Sequence, residues 1–492
     1  MSAPRALSRR LAVLDVGSNS VRLVVYQCVG SAFWPIRNEK AVLGLGRTAG
    51  RLDPDAIDAA IGVIRRFRAI AKALETDAER AVATAAVRMA ENGAAFVDAV
   101  ADATGFRLEV CSGEDVARLA GLGVWAGVAD ADGLVGDLGG ASLELTPVNN
   151  EGPGAGVSLP LGPLLFDAET DAPDADLDAR IDAQLDRARD RIDAGSGRAL
   201  YLVGGAWRGV ARYAIRKSGR SFVQAHGWRW RVSEAQRIAA DVIAAPLDAL
   251  ADYPGGSRRR ARTLPFAAHT LARLLKSGAF SSVVVSAYGV REGVAAQFVA
   301  DHAGAGRPGG LLAQARAFAE AQNARAPWGE AATALLEPVF GHAEAPARAG
   351  DLRSAAGLLS GLGEAFHPDH RAGLSFDMIL AAPLGAVSPL ERVFLAAAVY
   401  GRYARSAPPD AARDWLSAED AARARQYGAG LRLAAALSGG APELIRDSAL
   451  EIVGGHLRLR VPPQAAAVEK LDKRLSQFAA TLDLAPELVL DG

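Results

Sequence analysis

The sequence predicts an α/β fold for about the first three hundred of its 492 residues, followed by a mainly α-helical region. Two apolar stretches, residues 11–26 and 134–145, share the order strand, aspartate, small-residue turn, strand. Strand-like and helix-like segments alternate as far as a Gly- and Pro-rich stretch at residues 303–310, and helical periodicity dominates beyond it.

The first stretch predicts a β-hairpin with a carboxylate at its mouth. An apolar run rich in Val and Leu ends near Asp15, and the turn that follows contains Gly17, Ser18, Asn19 and Ser20. Small residues allow the backbone N–H groups and hydroxyls of such a turn to approach a phosphate closely. A carboxylate beside the turn is suited to a divalent metal on the same phosphate. The alternative is an ordinary hairpin with a polar turn.

A second stretch repeats this order and favours the phosphate interpretation. Its aspartate is Asp137, and its turn consists of Gly139, Gly140, Ala141 and Ser142. A third apolar run ends at another glycine turn, which contains Gly204 and Gly205. Two facing hairpins with an acid in each would hold one phosphate chain from opposite sides.

Composition limits the partners and the compartment. The formal net charge is −1, so an anion site must be local, and we expect no nucleic-acid partner. The two cysteines, Cys28 and Cys111, lie in apolar strand-like runs and are expected to be buried free thiols. We find neither a signal peptide nor an apolar run that could span a bilayer, so we expect a cytoplasmic location without membrane contact.

Periodicity predicts further elements along the chain. In the first part we expect helices at residues 53–74, 92–104 and 112–123, and strands at 80–86 and 106–111. In the second part we expect strands at 147–159, before Gly204 and at 282–286, and helices at 174–194, 264–276 and from 289. Beyond residue 310 we expect helices at 311–337, 354–366, 389–405 and 418–437, a β-like stretch at 449–461 and a final helix.

Several motifs in the correct order carry a family resemblance. They are LDVGSNSVRLVV, LGLGRTAGRL, VATAAVRMAENGAAF, SGEDVARLAGLGV, GDLGGASLEL and SAYGVREGV. With these motifs the chain resembles the exopolyphosphatase / guanosine pentaphosphate phosphatase family of the actin-like ATPase superfamily. The segments HPDHRA and PLERVFLAAAVYGRY are similar to long-form exopolyphosphatases.

The resemblance implies two actin-like (ribonuclease H-like) domains, residues 1–128 and 129–302, and a mainly helical C-terminal domain, residues 311–492. It implies Mg²⁺-dependent hydrolysis of the terminal phosphate of inorganic polyphosphate in the cleft between the two actin-like domains. Guanosine pentaphosphate is a second substrate that it implies, and a homodimer is expected by analogy.

The resemblance also implies roles for individual residues. Phosphate would be bound by the three turns together with two fixed cations: Gly17, Ser18, Asn19, Ser20, Arg22, Arg88, Gly139, Gly140, Ala141, Ser142, Gly204 and Gly205. Metal would be held by Asp15, Asp137 and Glu144, of which the last two are the better candidates. For Glu144 the alternative is a solvent-facing strand residue.

One departure from the family pattern concerns catalysis. The position of the usual catalytic Glu in the SGxEEARL motif is Val116, which cannot accept a proton. Glu114 or Asp115 would have to reach the site, or Glu144 would orient the water, or the protein is slow or is a non-catalytic polyphosphate or alarmone sensor. Two acids at a helix start are also what the helix dipole favours.

Further departures concern charge. Residues 258–262 place a basic cluster where relatives are more mixed, and we hypothesise that it follows a long polyanion; a solvated Arg cluster is the alternative. Ala287 stands where many members have an acid. His367, Asp369 and His370 lie around Pro368, which favours a structural loop over a metal site. A sugar kinase or ATPase is a third interpretation, against which the SGEDVARL and REG segments argue.

Overall fold

The computed structural model describes residues 8–46, 50–166, 176–252, 256–303, 307–341, 347–466 and 470–490. The chain divides into two compact units, which we describe separately. The first consists of residues 1–219 and 223–310, and the second of residues 220–222 and 311–492.

The first unit begins with a five-stranded sheet. Its strands are β1 (Ser8–Val16), β2 (Ser20–Val29), β3 (Ala32–Val42), β4 (Ala78–Ala83) and β5 (Glu109–Val110). The order is β3-β2-β1-β4-β5, with β1 antiparallel to β2 and parallel to β4. The accompanying helices are α1 (Pro54–Ala73), α2 (Ala85–Met89), α3 (Gly93–Thr104) and α4 (Gly113–Gly127).

The second sheet lies in the same unit. Its strands are β6 (Gly133–Leu138), β7 (Leu143–Asn149), β8 (Gly152–Pro153), β9 (Val157–Leu159), β10 (Ala199–Val203), β11 (Arg229–Arg231) and β12 (Ser282–Val285). The order is β11-β12-β10-β6-β7-β8, and β9 pairs with β7. Its helices are α5 (Leu177–Asp186), α6 (Arg189–Ala194), α7 (Gly205–Lys217), α8 (Val232–Ala244), α9 (Leu247–Ala251), α10 (Arg258–Ala261), α11 (Leu264–Ser277) and α12 (Val290–Ala303).

Strand β1 is apolar and buried from Leu11 to Leu14 because helices cover both faces of the first sheet. On one face, Leu14 packs in a core that includes Ile64 and Phe67 of α1. On the other face, Val13 packs in a core that includes Leu119 of α4 and Phe298 of α12. Residues that alternate along a strand point to opposite faces, so each face receives its own apolar set. Helix α12 therefore follows the second sheet in sequence but packs on the first.

The second unit is mostly helical. Its helices are α13 (Leu311–Ala321), α14 (Ala326–Phe340), α15 (Ala347–Leu359), a 3₁₀ helix (Ser360–Ala365), α16 (Arg371–Ala381), α17 (Pro389–Tyr403), α18 (Asp410–Trp415), α19 (Ala418–Ser438), α20 (Pro442–Arg446), α21 (Pro463–Ala466) and α22 (Leu471–Thr481). Strands β13 (Ala449–Val453), β14 (His456–Val461) and β15 (Ala485–Leu490) form a small sheet in the order β13-β14-β15.

The structure corrects several predicted elements. The strand expected at 147–159 is three short strands, and the helix expected at 174–194 is broken between α5 and α6, with residues 174 and 175 outside the described residues. The helix expected at 311–337 is broken near Asn323, whose φ of 59° is left-handed and ends α13. The strand expected at 80–86 ends at Ala83, and that expected at 106–111 is reduced to two residues. The final helix is followed by β15.

The prediction for the two cysteines is confirmed. Cys28 and Cys111 are both buried and unpaired, so burial raises the pKa of each thiol to about 12. In the part of the chain that the structure describes, no helix is long and apolar enough to cross a membrane.

Candidate functional site

The two predicted hairpins form and face each other across a cavity of about 350 Å³. A Cβ atom placed on Gly140 would lie 3.5 Å from Ser18 Cβ and 3.6 Å from Asn19 Cβ. The backbone of the second turn therefore approaches the first turn closely. This approach brings small residues from both sheets to one anion-sized space.

Both turns are closed in the same way. Gly17 N donates to Ser20 O at 3.1 Å, and Gly139 N donates to Ser142 O at 2.9 Å. The third turn packs against the second hairpin, because a Cβ on Gly204 would lie 2.3 Å from Leu138 O. Gly204 has a φ of 112°, a conformation that glycine adopts readily, and helix α7 begins at the next residue.

Most of the predicted site residues line this cavity. They are Asp15, Gly17, Ser18, Asn19, Ser20, Arg22, Asp137, Gly139, Gly140, Ser142, Glu144, Gly204 and Gly205. Four predicted residues are not part of the lining. Ala141 is buried against Gly162, and Arg88 Nη1 donates to Cys111 O at 2.9 Å, although its charge still lowers the pKa of Glu144.

Glu114 and Asp115, at the start of α4, are the other two predicted site residues that do not line the cavity. Asp115 forms a capping box with Ser112: its carboxylate accepts from Ser112 N at 3.1 Å, and Asp115 N donates to Ser112 Oγ at 3.0 Å. The hydrogen bond from the Ser112 hydroxyl holds the pKa of Asp115 below its usual range. Glu114 is exposed. By contrast, Val116 lines the cavity and is only 5% exposed.

Three carboxylates of the lining have raised pKa values. Burial and the nearby charge of Glu144 raise the pKa of Asp137 to about 7. Burial also raises the pKa of Glu144, against hydrogen bonds from Ser142 and from Ser158, whose Oγ is 2.8 Å from Glu144 Oε1. Burial raises the pKa of Asp15, although Arg291 and Arg22 oppose this rise. Loss of solvent therefore makes these carboxylates ready to accept a proton or a cation.

This donor set fits Mg²⁺ bound jointly by protein and phosphate. Within the described residues, no group of three His, Cys, Asp or Glu side chains is close enough to hold a metal alone. Mg²⁺ characteristically binds one or two carboxylates and completes its shell with water and substrate phosphate. Asp137 and Glu144, with paired Cα positions on the second hairpin, supply such a carboxylate pair.

Among the described residues, five cations that were not among the predicted site residues also line the cavity: Lys40, Arg208, Arg259, Arg260 and Arg291. The basic cluster at 258–262 and the REG segment pointed toward three of them, whereas no motif marked Lys40 or Arg208. Arg258 is outside the lining and pairs with Asp248 at 2.7 Å. Burial, followed by the charges of neighbouring arginines, lowers the pKa of Arg22 to about 10.

Side-chain contacts also connect the first hairpin with later parts of the unit. Arg291 Nε lies 3.6 Å from Asp15 Oδ2, and Arg259 Nη2 donates to Asn19 Oδ1 at 3.2 Å. The hydroxyl of Tyr26 donates to Glu292 Oε1 at 2.8 Å. Residues far apart in the chain therefore hold the first glycine turn and Asp15 in place.

The two α/β sheets with their facing glycine turns define a protein of the actin-like fold class. Residues 24–302 match the Ppx/GppA phosphatase family model, and residues 316–488 match the model described as exopolyphosphatase, C-terminal. The first match spans more than half of the chain, so this chain belongs to the Ppx/GppA phosphatase family. The predicted family and fold class, two actin-like domains followed by a mainly helical region, are confirmed.

Curated relatives include Exopolyphosphatase 1 of Mycobacterium tuberculosis and of Mycobacterium leprae. Each is 38% identical over 159 residues, which are 31% of this chain and 46% or 47% of the relative. The chain thus spans about half the length of these relatives.

Solved structures share the fold of the first unit. An Aquifex aeolicus Ppx/GppA family member matches with a TM-score of 0.54 and 23% identity, over 61% of this chain and 100% of that chain. An exopolyphosphatase from Cytophaga hutchinsonii matches with a TM-score of 0.55 and 22% identity, over 60% of this chain and 98% of that chain.

Proposed function

We propose that this protein hydrolyses the terminal phosphoanhydride bond of inorganic polyphosphate and releases orthophosphate. The observation that carries the proposal is the cavity itself, in which two phosphate turns face each other between cationic side chains and buried carboxylates. The curated relatives named Exopolyphosphatase 1 support the substrate. Family membership supports a hydrolase.

The chain's cations and turns bind and orient the polyanion. Backbone N–H groups and hydroxyls of the turns, including those of Ser18 and Ser142, approach the phosphate because glycines leave room for it. Arg22 and the five further cations neutralise the negative charge of successive phosphates. Phosphoryl transfer needs positioning and charge neutralisation more than covalent chemistry by the protein, and this lining supplies both.

Asp137 and Glu144 would hold Mg²⁺ together with substrate phosphate, and Asp15 is the third predicted acid that lines the same cavity. When bound, Mg²⁺ would neutralise phosphate oxygens and the developing negative charge. Without it, burial and then the negative charge of Glu144 raise the pKa of Asp137. We therefore expect cation binding to release a proton from this pair at neutral pH.

Glu144 is the group that we propose for water activation. It is 4% exposed and lines the cavity, and hydrogen bonds from Ser142 and Ser158 orient its carboxylate. The water oxygen forms a bond to the terminal phosphorus while its proton passes to Glu144. The bond between that phosphorus and the bridging oxygen breaks, and the shortened chain leaves with the electron pair.

A second candidate function is a polyphosphate or alarmone sensor with little or no catalysis. Val116 favours it, because an apolar side chain occupies the cavity position of the family's usual base, while Glu114 and Asp115 lie elsewhere. Guanosine pentaphosphate is a further substrate implied by the family resemblance. The homodimer and the cytoplasmic location stay predictions.

The test is orthophosphate release from long-chain polyphosphate, with and without Mg²⁺, beside guanosine pentaphosphate. We expect Mg²⁺-dependent release from polyphosphate, and a loss of about 10³-fold in kcat for Glu144→Gln, as for other essential proton acceptors. Glu151→Gln, at an exposed turn after β7, is the matched control and should keep full activity. Tight binding of polyphosphate without release would establish the sensor instead.

A further inference from the structure

Arg208 lines the cavity at the start of helix α7. It lies in the first turn of α7, three residues after Gly205, and this turn enters the cavity because Gly204 packs on the Leu138 carbonyl. Gly204, Gly205, Ala206 and Arg208 all belong to the lining. The helix start thus brings a guanidinium and the positive end of the helix dipole to one place.

The guanidinium of Arg208 is held by a neutral group. Its Nη1 donates to the Ala287 carbonyl at 3.0 Å, and within the described residues it lies in no ion pair. An arginine has five N–H donors, so this one contact does not satisfy the group. The peptide of Ala287 is fixed on its other side, because Ala287 N donates to His226 Nδ1 at 3.1 Å.

The electrostatic surroundings of Arg208 call for an anion. Burial, followed by the charge of Arg291, lowers its pKa to about 10, although Glu292 and Asp137 oppose this effect. Removing several guanidinium groups from water together is costly unless an anion compensates them. The carboxylates that would do so do not form ion pairs with Arg208, so an external anion fits the space best.

We propose that Arg208 binds the phosphoryl group that is transferred and neutralises its charge in the transition state. This inference rests on the proposed function and adds a catalytic residue to it. The terminal phosphate would lie between the guanidinium of Arg208 on one side and the acids Asp137 and Glu144 on the other. A planar guanidinium is suited to two oxygens of one phosphate, which an ammonium group cannot match.

The position of Ala287 supports this assignment. Ala287 lines the cavity, and its backbone carbonyl accepts a hydrogen bond from Arg208. A carboxylate introduced at this position would therefore be close enough to compete with phosphate for the guanidinium. We expect Ala287→Asp to weaken polyphosphate turnover by pairing with Arg208. This substitution removes no existing contact of Arg208.

The test compares Arg208→Ala and Arg208→Lys with Arg216→Ala, a control in the exposed last turn of the same helix. We expect kcat for polyphosphate to fall about 10²-fold or more in Arg208→Ala, since removal of one transition-state donor has such effects. The kcat of Arg208→Lys should lie between those of the wild type and Arg208→Ala. The kcat of Arg216→Ala should match that of the wild type. Added guanidinium ion at millimolar concentration should restore activity to Arg208→Ala alone.

Two results would overturn the assignment: kcat of Arg208→Ala within threefold of the wild type, or a loss that guanidinium ion does not rescue. If the wild type releases no orthophosphate, the proposed function fails separately. Calorimetric binding of tripolyphosphate then decides the role of Arg208 in anion binding. At least a tenfold weaker affinity in Arg208→Ala supports the role, and unchanged affinity rejects it.

Discussion

The aspartates of the two hairpins face cross-strand partners of opposite charge sign. In each hairpin the partner lies seven positions after the aspartate. The antiparallel register places Asp15 across from Arg22, whereas it places Asp137 across from Glu144. Directly opposed side chains lie on the same face of a sheet, so the first pair attracts and the second repels. This difference favours the second hairpin over the first for the Mg²⁺ site that we propose.

The burial of Asp137 and its repulsion by Glu144 predict a pH-dependent stability in the absence of metal. The pKa of Asp137 rises from 3.8 to about 7 on folding, so the folded state holds this proton more tightly than the unfolded state. Its contribution to stability is present at low pH and is lost as pH rises through about 7. We expect Asp137→Asn to raise stability at pH 8 in chelator, by at most about 4 kcal/mol.

Denaturant unfolding at pH 5 and pH 8 with a chelator measures this effect. The gain of Asp137→Asn should be much smaller at pH 5, where the native carboxyl is largely protonated. An equal change at the two pH values would show that the Asp137 carboxylate is not the source.

Lys40 predicts a pH dependence of anion binding. Desolvation of the ammonium group, followed by the charges of the guanidinium groups around it, lowers the pKa of Lys40 to about 8. The residue as a whole is nevertheless exposed. A polyanion binds the protonated form, so affinity for tripolyphosphate should fall between pH 7 and pH 9. Lys40→Met should flatten this fall in calorimetric titrations, whereas Lys72→Met, at an exposed helix end, should not. A fall that persists in Lys40→Met would assign it to another group.

Val116 predicts the outcome of restoring the usual acid. If Glu144 activates the water, Val116→Glu changes kcat by less than about tenfold, because a base is already in place. The new carboxylate also loses its solvation at a position that is 5% exposed, so the free energy of unfolding should decrease. A gain of 10²-fold or more in orthophosphate release would show that the natural chain is a weakened enzyme.

At the scale of elements, the start of α4 assigns Asp115 to helix capping. Because the Ser112–Asp115 capping box satisfies N–H groups of the first turn, Ser112→Ala should cost about 1 kcal/mol of stability, and Asp115→Asn about the same or less. Neither change should alter kcat. A large loss of turnover in Asp115→Asn, without unfolding, would mean that this acid leaves the cap during catalysis.

The two hairpins were predictable because their signals are local. Each consists of an apolar run, an acid and a turn of small residues within sixteen positions or fewer. Lys40 and Arg208 carried no such signal, because only the tertiary fold brings β3 and α7 to the same cavity. The break near Asn323 was missed because apolar periodicity continues across it, while the backbone turns left-handed at that residue.

At the scale of the whole molecule, all of the described residues that line the cavity belong to the first unit. The whole of the Aquifex aeolicus structure aligns with 61% of this chain. A comparable fold therefore exists without the second unit. We therefore expect a chain ending at Gly310 to hydrolyse tripolyphosphate within about tenfold of the full chain. Loss of turnover in a truncated protein that keeps its Tm would contradict this expectation.

The central claim is that water attacks the terminal phosphorus of polyphosphate in this cavity. The most direct measurement is hydrolysis of polyphosphate in ¹⁸O-labelled water, with Mg²⁺, followed by mass analysis of the products. We expect orthophosphate that carries one ¹⁸O atom, an unlabelled shortened chain, and about 10³-fold slower formation of this orthophosphate by Glu144→Gln. Bound polyphosphate that releases no labelled orthophosphate, or label found in the remaining chain, would contradict the account.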